Sequence, residues 1–159
     1  MSSYIAVPKT SHAMTLVATG ATVKTVLQVA TPSTTDLLVL AWGISFDGAS
    51  GSAVPGVCVL IDVDVAATVT SLTPEKWRTT NAVAALCVGG TSATGYNGSA
   101  EGSITDSHTL DAQQVHPQSG YSIWFPEPPK VNVSRFLRIR TTFAATVNCL
   151  PWIIFQEGA

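Results

Sequence analysis

Three histidines, His12, His108 and His116, are the residues in this chain best placed to move protons or hold a metal. No two of them stand four apart, as one helical face would need, and no His-Glu-x-x-His occurs. Serine is abundant, but the Gly-x-Ser-x-Gly elbow that strains and exposes a nucleophile is missing. The run Gly89-Gly90-Thr91-Ser92-Ala93-Thr94-Gly95 has the glycines of a phosphate-cradling loop without its closing Lys-Ser/Thr. The expectation is therefore a protein that is not an enzyme, with no catalytic residues, no metal and no cofactor.

Asp62 and Asp64 lie two apart, so an extended chain puts them on one face. Calcium takes six to eight oxygens, and no further ligand cluster stands nearby in sequence. Arg138 and Arg140 have the same spacing. Cross-strand pairing of the two acids with the two arginines is the expected use, at about 0.2–1 kcal/mol per pair. Cys58, Cys87 and Cys149 are odd in number and match no zinc spacing. They read as small buried apolar side chains. Trp77, Tyr96, Tyr121 and Trp124 suggest an aromatic platform for carbohydrate; the competing reading is core or interface packing.

The elements that would position these residues are strands. Leu38, Leu40, Trp42, Ile44 and Phe46 alternate with Leu37, Val39 and Ala41, so this segment is apolar on both faces. In the next strand Val57, Val59, Ile61 and Val63 are expected inward, with Cys58, Leu60, Asp62 and Asp64 on the other side. Leu137 and Ile139 are expected inward opposite Arg138 and Arg140. Thr73-Pro74-Glu75-Lys76-Trp77 has the start signals of a short helical turn. Residues 82–88 read as a strand, and Gly89 to Gly102 as a long surface loop. Short strands and turn residues at this spacing predict an all-β fold: a β-sandwich, jelly-roll-like or a related Greek key. Residues 1–13 read as an extended N-terminal arm, with a single sandwich domain over 14–159. Tyr4, Ile5 and Val7 on that arm, with Trp152, are the candidate partner-binding residues.

Of the 159 residues 46% are hydrophobic and only 11% charged, with a net charge of -2. An ordinary domain is about 25% charged. A basic stripe for nucleic acid is missing, as is any apolar run of the ~20 residues a membrane span needs. The first residues lack the basic-then-apolar order of a signal peptide. Scarce charge favours a surface covered by partners or by further copies of the chain.

Ser134-Arg135-Phe136-Leu137-Arg138-Ile139-Arg140, then Ala145-Thr146-Val147-Asn148 and Trp152-Ile153-Ile154-Phe155, resemble small β proteins of tailed-phage structural modules. Trp42-Gly43-Ile44-Ser45-Phe46-Asp47-Gly48 extends the resemblance. It is to actinobacteriophage-like capsid decoration, or minor capsid, proteins, and covers chiefly the last 60 residues or so. It implies a cement protein, commonly a homotrimer, made in the host bacterial cytoplasm. Such a protein sits on the outer capsid surface of the virion with the major capsid protein as partner. The other reading is a tail- or fibre-associated carbohydrate-binding module built on Trp77, Tyr96, Tyr121 and Trp124.

Overall fold

Alternating apolar residues and frequent turn residues run the length of the chain, and among the described residues every regular element is a strand. The computed structural model describes residues 2–48, 54–80 and 83–158. In chain order the strands are β1 (Ser2–Ala6), β2 (Lys9–Thr10), β3 (Ala13–Met14), β4 (Val17–Ala18), β5 (Lys24–Ala30), β6 (Leu37–Phe46), β7 (Gly56–Val63) and β8 (Thr68–Ser71). They continue as β9 (Glu75–Lys76), β10 (Gly95–Ala100), β11 (Ser107–Val115), β12 (Tyr121–Trp124), β13 (Lys130–Val131), β14 (Phe136–Thr142) and β15 (Asn148–Glu157). No helix occurs among the described residues.

A seven-stranded sheet has the order β12-β6-β15-β1-β9, with β13 also beside β6 and β4 also beside β15. A six-stranded sheet has the order β11-β7-β14-β5-β10-β8. The β2–β3 hairpin stands apart, and its turn residues Ser11 and His12 both have positive φ. The two large sheets close on one core as a β-sandwich. Tyr4, Trp42, Ile153 and Phe155 enter it from one side and Leu27, Leu60, Leu137 and Ile139 from the other. Asp111 of β11 joins the sheets, because its Oδ2 accepts from Trp42 Nε1 at 3.0 Å and from the Tyr121 hydroxyl at 2.9 Å.

Several expectations are corrected. The N-terminal segment, expected as an arm for a partner, lies on its own domain: β1 is an inner strand, paired with β15 on one side and β9 on the other. Its alternation sends Tyr4 and Ala6 into the core, with the Tyr4 ring 5.8 Å from Phe155. Thr73–Trp77 is no helical turn, since Glu75 and Lys76 extend that sheet. The expected loop contains β10, where Gly95 lies so close to Thr70 O that a Cβ would stand 2.3 Å from it. Residues 83–88 form no strand; the Leu86 and Cys87 amides donate to the Glu157 carboxylate instead. Ala82 and the turn residues 49–52 lie outside the described residues. In β7 the phase is reversed: Cys58 and Leu60 face the core, while Leu137 and Ile139 of β14 do so as expected.

That reversal has a physical cause. The outer face of the six-stranded sheet is roofed over Ile61 and Val63, so these apolar residues are covered too, while Val57 at the start of the strand stays exposed. Arg138 points to that face and is fully buried. Its Nη2 donates to Val65 O at 2.6 Å and to Glu101 O at 3.0 Å, and its Nη1 to Glu101 Oε1 at 3.3 Å. Glu101 also accepts from Thr25 N at 2.8 Å and Arg140 Nε at 2.9 Å. Gln28 holds a second span of roof, accepting from Ala67 N at 2.9 Å and donating to Ala93 O at 2.6 Å. The arginines thus pair with Glu101 rather than with Asp62 and Asp64. Asp62 pairs with Arg135, whose Nε lies 2.7 Å away. Asp64 instead accepts from the Thr105 hydroxyl and from the Thr105 and Asp106 amides, at 3.1 and 3.2 Å.

Two outcomes follow from the roof. Glu101→Ala leaves the buried Arg138 charge without its carboxylate, and the stability lost in urea titration should be about 3 kcal/mol. Hydrogen bonds from the Thr105 side chain and amide lower the Asp64 pKa to about 2. Because the folded pKa is depressed, its contribution is present above the ordinary carboxylate pKa and is lost as pH falls through about 2. Urea midpoints measured from pH 5 down to pH 2 should fall more steeply for the natural chain than for Asp64→Asn.

Candidate functional site

On the seven-stranded sheet the outward side chains form two register rows. In one row Ser122, Gly43 and Trp152 stand side by side on β12, β6 and β15. In the next, Trp124, Ala41, Ile154 and Ile5 follow one another across four strands. Trp77 follows β9 at the far edge, where its amide donates to Ser3 O at 2.9 Å. The Trp77 and Trp124 rings meet with centroids 6.4 Å apart although they start from opposite sides of the sheet. Both remain exposed, at 46% and 57%, while Ala41 and Ile154 in the middle of the row are buried.

Trp152 lies flat because its cross-strand neighbour is a glycine. A Cβ on Gly43 would stand 2.5 Å from Trp152 Cζ2 and 2.6 Å from Cε2. One face of the indole therefore rests on backbone. Beside it is an open depression of about 500 Å³, lined by Trp152, Ser45, Ser119, Gly120 and Ser122 among others. Gly120, at φ 64°, crosses close to Ile44 O and shapes its rim.

A second exposed surface lies at one end of the sandwich. Thr142 pairs with Val57, and Thr141 with Lys24, so Val23 and Val57 flank the end of β14. Val54 just precedes β7, and Leu16 precedes β4, which pairs with the start of β15 at this same end. Leu16, Val23, Val54 and Val57 are each between 42% and 47% exposed.

The residues singled out in the sequence are only partly brought together. Tyr4 is buried, its hydroxyl donating to Val83 O at 3.1 Å, and Val7 is buried as well. Neither is free to hold a partner. Ile5 and Trp152 are half-buried on the outward face of the seven-stranded sheet. Of the four aromatics expected in one platform, Trp77 and Trp124 meet, but the tyrosines do not join them. Tyr96 is buried in the six-stranded sheet beside Thr10, hydroxyl to hydroxyl at 3.1 Å. Tyr121 turns inward onto Trp42, with centroids 5.4 Å apart. Burial and then Asp111 push its hydroxyl pKa up to about 12.

The histidines are dispersed. His12 sits in the hairpin turn, His116 Nδ1 accepts from the Gln118 amide at 3.1 Å, and His108 lies 3.4 Å from Asp62. Burial raises the Cys58 and Cys149 thiols to about 12, and Cys87 further still, so none is a ready nucleophile. Among the described residues no three His, Cys, Asp or Glu side chains gather as a metal ion would require. Sequence reasoning missed Gly43 and the serines, whose role appears only when strands are in register. It also missed the aliphatic end, whose four residues come from separate connections.

No family model matches the chain, and no curated protein or solved structure matches it.

Gly43→Val drives a branched side chain into the indole. The ring must lift, with an expected loss of about 1–3 kcal/mol in urea titration. A red-shifted tryptophan emission in the folded variant would report its exposure.

Proposed function

We propose that this protein is a capsid decoration protein of a tailed phage, a cement that binds the outer capsid surface and stabilises the shell. Its partners in this reading are the major capsid protein and further copies of itself, in a homotrimer. The observation that carries the proposal is the aliphatic end. Val23 and Val57, two exposed branched side chains, flank the end of β14, with exposed Val54 just before β7 and exposed Leu16 just before β4. Fully burying such a side chain is worth about 1.5–3 kcal/mol, so a dry contact here is individually modest. Repeated over many shell positions, contacts that form only with folded, assembled subunits stabilise the particle by mass action. The low charge of the chain suits contacts of this kind.

The strand order supports the same reading. The pairings β1-β15-β6-β12 and β5-β14-β7-β11 place most successive long strands in opposite sheets, and β7 and β11 stay together as antiparallel neighbours in one. We read this as a jelly roll, an architecture used by viral capsid and lectin domains. Fold alone does not fix function, so the resemblance of the C-terminal strands and the aliphatic end carry the argument.

The test uses phage heads assembled without the protein. The full chain should bind them to saturation. Val23→Asp with Val57→Asp should lower occupancy at least tenfold while leaving the unfolding free energy within about 0.5 kcal/mol of the parent. Equal occupancy would remove this end as the contact, and no binding by the unaltered chain would remove the decoration role. Sedimentation of the free protein at micromolar concentration should show a trimer.

A further inference from the structure

We propose that the depression beside Trp152 is a binding site for a neutral oligosaccharide of β-linked pyranoses. This activity is separate from capsid attachment and uses a different surface. The argument begins with the ring. Gly43 has no side chain, so the indole lies along the sheet with one face on backbone and the other toward the open depression. A pyranose with equatorial substituents presents a flat face of C–H groups, and an indole is the best side-chain surface for stacking such a face.

The hydroxyls come next. Ser122 and Ser45 lie on the same outward face as Trp152, the first in its own cross-strand row and the second two residues beyond Gly43 on β6. Among the described residues neither hydroxyl has a hydrogen-bond partner within the protein, whereas Ser119 Oγ donates to His116 O at 3.1 Å and keeps its acceptor capacity. Sugar hydroxyls both donate and accept, as these serines do.

Charge narrows the ligand. No Lys, Arg, Asp or Glu lines the depression. A phosphate, a nucleotide or an acidic sugar would find no counter-charge there, so the site suits a neutral ligand. Length comes from the adjacent row. Trp124 stands two strands away from Trp152 and one outward row along, about 10 Å off laterally at the usual strand spacing. Its exposed ring, braced by Trp77, extends the stacking surface beyond one sugar. A chain of several pyranoses fits this arrangement, and a monosaccharide would use only part of it.

The experiment needs no capsid, so its outcome is independent of the decoration role. Cellohexaose, chitohexaose and maltohexaose are titrated into the intact protein. Tryptophan emission and saturation-transfer NMR are the readouts. A β-linked hexamer should bind and transfer saturation from indole protons. The corresponding monosaccharide should bind at least tenfold more weakly. Trp152→Ala should weaken hexamer binding at least tenfold, and Trp124→Ala by a smaller factor. Should Trp152→Ala fail to fold, Ser122→Ala and Ser45→Ala, which remove only hydroxyls, should each weaken it severalfold. Absence of saturation transfer from both β-linked hexamers would overturn the proposal. So would binding unaltered in folded Trp152→Ala, or unaltered by both serine substitutions where Trp152→Ala does not fold.

Discussion

The buried guanidinium of Arg138 is the constraint on which the rest of the surface depends. Removing such a charge from water is costly unless it is paired and hydrogen-bonded. Its burial lowers its pKa, and the Glu101 carboxylate opposes that effect. Val65 O, Glu101 O and the Glu101 carboxylate take up Nη1 and Nη2, while Nε has no partner. The same contacts pin residues 65 and 101 onto the outer face of the six-stranded sheet. Gln28 repeats the device with Ala67 and Ala93. One sheet is thus closed on both sides by its own chain.

The other sheet buries Ala41 and Ile154 at the centre of its outer face and leaves Trp77 and Trp124 exposed, so the molecule is asymmetric. Its outward rows carry aromatic rings, with Glu75 beyond Ile5 paired to Lys9. Glycine at position 43 decides how one of these rings lies. A side chain there would lift the indole away from the sheet, and the depression beside it would lose its flat wall. The aliphatic end is different in kind. It offers branched side chains without hydroxyls, suited to a dry protein contact rather than to a hydrated sugar.

Some of this was legible in the residues. Period-two alternation and regular turn signals marked strands, and the missing helical periodicity marked the class. Leu137 and Ile139 could be assigned inward because Arg138 and Arg140 set the phase of that strand. The same logic failed for β7. Val57, Val59, Ile61 and Val63 are the more apolar set, yet Cys58 and Leu60 face the core, since the roof covers apolar residues on the other side as well. Tyr4 and Ile5 looked like an arm because a short terminal segment carries no sign of its partner strand. The register with β15, at the opposite end of the chain, supplies that partner.

The sequence by itself determined the class of the fold and the scarcity of charge. These are properties of local spacing and composition. Tertiary structure decided which aromatics share a face and which acid neutralises which arginine. Trp77 and Trp124 meet across a sheet whose strands come from both ends of the chain. Arg138 finds Glu101 rather than Asp62, because a connection folds back over the sheet. Contacts between distant segments depend on strand order and register, and neither is encoded in the spacing of neighbouring residues.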